Sequence, residues 1–220
     1  MLTRELPIQA IPHLHPGDTV GQALSLMNEY HVVHLPLVTG EQYTGMVGED
    51  DLLDAGDDSK TLADLSDMFP APFVYEQDHF LKAVQLAVDY ELSVVPVINE
   101  EKNIVGVITY SDLLRITSEF MSVNEPGGLI VLEIKSVDYS FNEISRIIET
   151  NDAQITQLNT VVNPTTGLML ITIKVNKTEV SDIVSTFQRY EYNVKHYFGE
   201  ELYENELRSN YDNLMNYLKI

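Results

Sequence analysis

A hydroxyl and a carboxylate three residues apart, Thr109 and Asp112, stand where an apolar strand gives way to a helix within residues 94–114. The first N–H groups of a helix have no partner inside it, so such a junction attracts polar and anionic groups. A threonine hydroxyl, an aspartate and free N–H groups together can hold the hydroxyls and the phosphate of a nucleotide. The same two residues also form a capping pair that does no more than start a helix. Earlier in the chain, Gly48 and Asp51 have the same spacing at the same kind of junction, but Gly48 brings no hydroxyl.

Other chemistry is poorly supported. The run Gly48-Glu49-Asp50-Asp51 is acidic, yet contiguous carboxylates cannot all face one site. It reads as a solvated helix start, with water-mediated Mg²⁺ binding as the alternative. His13, His15 and His34 could meet near the first junction, but they lack the paired i,i+4 spacing of helical metal ligands. No phosphate-binding loop, dinucleotide fingerprint or zinc pattern occurs, and no nucleophile, base and stabiliser stand at a recognisable spacing. The expectation is a chain that is not an enzyme and holds no metal.

The elements that position these residues occur twice. Two apolar runs, Val94–Ile98 and Ile104–Thr109, flank a five-residue polar connection and predict a β-hairpin that feeds a helix at Ser111 or Asp112. Leu35-Pro36-Leu37-Val38 matches Val95-Pro96-Val97-Ile98 sixty residues on, and Asp51 precedes Asp112 by sixty-one. The extra residue falls in the hairpin turn, where insertions cost little. Ahead of each hairpin is a matched helix, marked by the capping box Thr19-x-x-Gln22 in one copy and by Asp78 as its cap in the other. A polar loop at residues 54–59 divides the copies, and residues 68–74 are expected to open the second with a proline-marked strand. This is an internal duplication. Packed side by side, the copies would share a core, with the two junctions lining a cleft suited to a small ligand.

Bulk properties narrow the partners. The chain has 220 residues, 44% of them apolar, enough for one large or two medium domains. It lacks cysteine and a long apolar run, and residues 1–5 show no signal-peptide character, so a cytoplasmic protein without disulfides or a membrane span is expected. The formal charge of −21 argues against nucleic acid and anionic lipid. Residues 1–118 carry five Lys/Arg against nineteen Asp/Glu, which disfavours a free triphosphate unless Mg²⁺ accompanies it.

After residues 122–128, which read as a linker, the pattern changes. Strands at residues 129–135, 154–162, Leu168–Val175 and 192–198 alternate with helices marked by Phe141, Ile144, Ile147, Ile148 and by Val180, Ile183, Val184, Phe187. The order βαββαβ is that of a ferredoxin-like domain. Residues 200–220 form a candidate helix with Tyr203, Leu207, Tyr211, Leu214 and Leu218 on one stripe, suited to packing on its own domain or a symmetry mate.

The duplicated half resembles a tandem pair of CBS domains, a Bateman module. The family's pattern is an apolar-Pro-apolar strand, a Gly-started strand and a G-x-x-[Thr/Ser]-x-x-Asp end. Gly106-x-x-Thr109-x-x-Asp112 fits it completely, whereas Gly45-x-x-Gly48-x-x-Asp51 lacks the hydroxyl. The second half is similar to an ACT domain, and the whole arrangement resembles bacterial proteins of the acetoin-utilisation (AcuB-like) type. ACT domains that bind amino acids carry a glycine turn after the first strand. Val137-Asp138-Tyr139-Ser140-Phe141 has none, so self-association is the expected role of this half.

The fold class expected is therefore α+β: CBS repeats at residues 1–60 and 61–121, a linker at 122–128, an ACT-like ferredoxin fold at 129–199 and a C-terminal helix at 200–220. The resemblance implies a homodimeric sensor for AMP, adenosine, S-adenosylmethionine or, with Mg²⁺, ATP, acting on an unknown regulated protein. Asp112 and Thr109 would hold ribose and α-phosphate, and the base would lie near Val94, Val95 and Pro96. His34, Leu35 and Asp51 complete the candidate set from the first repeat. A ligand-free scaffold and, less favoured, a metal-dependent enzyme are the alternatives.

Overall fold

The computed structural model describes residues 1–199, and the candidate helix at 200–220 lies outside them. The chain divides into two compact units between Ser118 and Glu119, in the last turn of a helix. The first unit holds α1 (Val20–Tyr30), β1 (His34–Thr39), β2 (Gln42–Gly48) and α2 (Glu49–Ala55). It continues with β3 (Val74–Tyr75), α3 (Phe80–Asp89), β4 (Val94–Ile98), β5 (Ile104–Thr109) and α4 (Tyr110–Phe120). Both hairpins are antiparallel, and each carries a register shift in its first strand, between Leu37 and Val38 and between Val97 and Ile98. The duplication in sequence is thus a duplication in structure.

Helix α1 starts as its capping box dictates, with Gln22 N–H donating to Thr19 Oγ1 at 3.3 Å and Thr19 N–H donating to Gln22 Oε1 at 2.8 Å. Its buried residues Val20, Ala23 and Met27 face Leu35, Leu37 and Val47 of the hairpin. Helix α3 buries Phe80, Ala83 and Ala87 against Val94, Val95 and Ile108 in the same way. Two adjoining cores result rather than one, and partly buried Ile11 and Val32 pack against both.

Two expectations about the start of the second repeat also need correcting. The cap of α3 is His79, whose ring nitrogen accepts from Leu81 N–H, because the Asp78 carboxylate is drawn into the preceding turn. There it accepts from Tyr75 N–H at 2.8 Å and from Lys82 Nζ at 2.7 Å. The expected strand at 68–74 shrinks to Val74–Tyr75, preceded by a 3-10 turn at Leu62–Met68. Pro70 and Pro72 have no N–H to give to a ladder. They contribute carbonyls instead, Pro70 O to Met46 N–H and Pro72 O to the Tyr43 hydroxyl.

The second unit contains β6 (Gly128–Lys135), α5 (Phe141–Glu149), β7 (Ile155–Val162), β8 (Leu168–Val175), α6 (Ser181–Arg189) and β9 (Val194–Phe198). The strands form one antiparallel sheet in the order β7-β8-β6-β9. Alternate residues Ile130, Leu132, Ile171 and Ile173 pack beneath Ile144, Ile147, Ile183 and Phe187 of the helices. Gly128, expected at the end of the linker, opens β6. A Cβ on it would lie 2.3 Å from Val180 Cγ1, so only glycine admits this approach. The ammonium of buried Lys174 in β8 donates to the carbonyl of Ser122.

Within the first unit an extended N-terminal segment crosses the second repeat. Gln9 N–H donates to Val107 O at 2.8 Å, and Val107 N–H returns to Gln9 O at 2.9 Å. A Cβ on Gly106 would lie 2.6 Å from Ile8 Cγ2 and 2.7 Å from Gln9 O. Gly106→Ala is therefore expected to cost about 1–3 kcal/mol, because a backbone oxygen must move to admit the methyl group. Gly17→Ala, which meets nothing within 4 Å, is the control. Urea denaturation of both variants tests this, and equal midpoints would refute it.

Candidate functional site

The second junction is built by the end of β5 and the first turn of α4. The Thr109 hydroxyl accepts from Asp112 N–H at 3.1 Å and donates to Asp112 Oδ2 at 2.8 Å. With its one proton given to the carboxylate, Thr109 can only accept from Ser111 Oγ at 2.9 Å. Gln9 Nε2 donates to the same Oδ2 at 2.6 Å, and Arg115 Nη2 donates to Oδ1 at 3.2 Å. Burial works against ionisation of Asp112, but the bonds from Thr109, Arg115 and Gln9 outweigh it and hold its pKa below the usual aspartate value. The group is an ionised acceptor near neutral pH.

The first junction has the same backbone but different side chains. Gly48 caps α2 without a side chain, in the extended conformation (φ −95°, ψ 149°) that any residue can adopt. A Cβ there would sit 3.1 Å from Asp51 Oδ2 and 3.5 Å from His34 Nε2, so the imidazole edge faces this gap. A cavity of about 490 Å³ opens here, lined by His34, Gly48, Asp51 and, from the end of α3, Tyr90 and Glu91. Glu49 and Asp50 also line it, so its walls carry four carboxylates.

His34 has an assigned tautomer in this setting. Ser93 N–H donates to His34 Nδ1 at 3.2 Å, which leaves the proton of the neutral ring on Nε2. Ser93 Oγ also lies 3.3 Å from Nδ1 and accepts from Val33 N–H. Burial lowers the His34 pKa below 6.5, and the nearby Asp51 and Asp50 charges oppose this only in part.

The structure thus brings Thr109 and Asp112 into direct contact, and it places His34 with Asp51 at the other junction. The remaining candidates lie differently. Val94, Val95 and Leu35 are wholly buried, so their side chains belong to the core and only their backbone adjoins the junctions. Pro96 is likewise buried. His13 and His15 stack edge to face with ring centroids 5.1 Å apart, while His34 is engaged with Ser93. Among the described residues, no group of three His, Cys, Asp or Glu is placed to hold a metal ion.

Gln9, Ser93 and Tyr90 were not singled out from sequence. Ser93 had a signal, since the duplication aligns it with Val33 and a polar residue there breaks the match. Gln9 had none, because its partner lies 103 residues away.

In the second unit, a cavity of about 430 Å³ is lined by Glu133, Lys135, Asp138, Glu143, Tyr190 and Tyr192, among others. Tyr192 donates to Glu143 at 2.7 Å, and burial together with that carboxylate pushes its pKa well up.

The helix–hairpin–helix unit thus occurs twice, and the second copy ends in Gly106-x-x-Thr109-x-x-Asp112. The chain belongs to the CBS domain family, whose profile matches residues 4–58 and 62–119. It is 24% identical over 148 residues to an inosine-5'-monophosphate dehydrogenase of Methanocaldococcus jannaschii, covering 66% of this chain and 29% of that enzyme. A second such dehydrogenase, from Korarchaeum cryptofilum, is 27% identical over 128 residues, covering 56% of this chain and 26% of the enzyme. The chain therefore spans less than a third of these curated relatives. Among solved structures it is similar to a CBS domain pair/ACT domain protein from Thermotoga maritima (24% identity, TM-score 0.49, 55% of this chain and 99% of that one). It is also similar to the CBS-pair protein CBSX2 of Arabidopsis thaliana, solved in complex with AMP (20% identity, TM-score 0.46, 55% and 98%). No described helix is long and apolar enough to cross a membrane.

Since His34 has a lowered pKa, the unfolded chain binds a proton that the folded chain resists. Stability is then highest above about pH 6.5 and falls as pH drops through that value toward the folded pKa. His34→Gln is expected to flatten the stability profile between about pH 7.5 and pH 5.5 relative to the parent protein. Urea titrations at stepped pH test this, and parallel profiles would refute it.

Proposed function

We propose that the chain is a non-catalytic sensor that binds an adenosyl compound, favouring AMP, adenosine or S-adenosylmethionine over ATP, through its CBS pair. The observation that carries this reading is the Thr109–Asp112 pair, a fixed hydroxyl beside an ionised carboxylate at the mouth of a helix. Asp112 would accept from the ribose hydroxyls, and Thr109 would bond ribose or an α-phosphate. The backbone of residues 94–96 would read the edge of the base, with its apolar core behind. His34, Leu35 and Asp51 would form a second, poorer site. Arg115 brings a positive charge to the first of these sites, whereas four acidic residues line the other. Free ATP is disfavoured on that account, unless Mg²⁺ comes with it.

The second unit fits an ACT-like, ferredoxin-like reading in the manner of the acetoin-utilisation proteins. Its βαββαβ order and β7-β8-β6-β9 sheet support it. The absence of glycine between β6 and α5, and the acidic wall of the nearby cavity, argue against an amino-acid carboxylate there. We assign this unit to homodimer formation in the cytoplasm and to relaying ligand-dependent changes to a regulated protein.

One observation favours a second reading, a scaffold without ligand. The Asp112 carboxylate is already engaged by Thr109, Gln9 and Arg115. A thermal-shift titration with AMP, ADP, ATP, adenosine and S-adenosylmethionine, with and without Mg²⁺, separates the two. Ligand at one hundred times Kd stabilises the native state by about 2.7 kcal/mol. The expected result is a saturable shift with one or more of these compounds that is abolished in Asp112→Asn. No shift with any of them would favour the scaffold.

A further inference from the structure

The two junctions share a backbone frame, and the segment that crosses each of them differs in one residue that matters. Gln9 pairs with Val107 where the N-terminal segment crosses β5. Pro70 bonds Met46, the counterpart of Val107, where the inter-repeat segment crosses β2. Gly106 and Gly45 sit beneath these crossings, with Gln9 O 2.7 Å and Pro70 O 3.6 Å from where a Cβ would stand. Gln9 and Pro70 are therefore structural equivalents. Proline has no amide to offer, and at that junction Asp51 faces a cavity. Glutamine has one, and it is bonded to Asp112 Oδ2 at 2.6 Å.

That oxygen is the acceptor a ribose hydroxyl would need. It already takes the Thr109 hydroxyl, while Oδ1 takes Arg115. We propose that the Gln9 side chain is an internal competitor for Asp112, a gate that a ribose must displace before it can bind the second junction. The inference rests on the adenosyl reading given above. The Gln9 residue is exposed and its backbone is held independently by Val107, so its side chain can swing away without unfolding the crossing. Apparent affinity is the intrinsic affinity multiplied by the fraction of molecules with the gate open. Removing the amide raises that fraction to one.

The test is isothermal titration of the full chain with adenosine and with AMP, in the parent protein and in Gln9→Ala, Gln9→Met and Asp112→Asn. Both Gln9 variants are expected to bind about three- to tenfold more tightly than the parent, the scale of one hydrogen bond to a charged group discounted for exposure. Gln9→Met fills the same space without a donor, so a gain in Gln9→Ala alone would mean added room rather than a lost competitor, and would overturn the proposal. Parent-level or weaker binding in both variants, with binding lost in Asp112→Asn, would overturn the gate and leave the adenosyl reading standing. Binding by the Gln9 variants but not by the parent would support both. No binding by any variant would overturn both.

Discussion

Backbone passes within contact distance of backbone at Gly106, and the second junction depends on that approach. With no side chain in the way, the N-terminal segment lies on β5 and exchanges two hydrogen bonds with Val107. This fixes the segment by main-chain bonds, which are insensitive to its own side chains. Residues 1–9 thereby become part of the second repeat. Thr3 and Arg4 N–H groups reinforce the arrangement by donating to Asp78 O and Glu76 O. The first repeat uses the same device, with Gly45 beneath the Phe69–Pro70 crossing. Each strand-to-helix junction is thus completed by a segment from outside its own repeat.

Local order explains what could be read from the chain alone. The hairpins Val94–Ile98 and Ile104–Thr109 follow from apolar runs and a polar turn, and the cap at Thr109 follows from its spacing to Asp112. These signals act over a few residues, where sequence neighbours are also spatial neighbours. The misreading at Asp78 has the opposite origin. A carboxylate can cap a helix or close the preceding turn, and Tyr75 N–H with Lys82 Nζ decided the competition. Pro70 and Pro72 marked an extended segment correctly but could not be strand residues in a ladder, since they lack donors.

The contacts that tune the candidate site were the least legible. Gln9 to Asp112 and Ser93 to His34 join residues 103 and 59 apart in sequence, and no local pattern encodes them. Their effect is nonetheless chemical. Gln9 adds to the bonds from Thr109 and Arg115 that favour the ionised Asp112 carboxylate, and Ser93 N–H fixes the tautomer of an imidazole whose pKa is lowered by burial.

Duplication followed by substitution has therefore given one frame two electrostatic characters. At the second junction the carboxylate is met by an amide, a hydroxyl and a guanidinium, so the local charge is partly balanced. At the first, glycine and proline replace threonine and glutamine, an imidazole lies where the other repeat has buried Val94, and four carboxylates line the opening. A phosphate entering there would meet the like charge of Glu49, Asp50, Asp51 and Glu91. A group that approaches Asp112 meets Arg115 beside it. The helix-start N–H groups are common to both junctions, so the electrostatic difference between the two lies in their side chains.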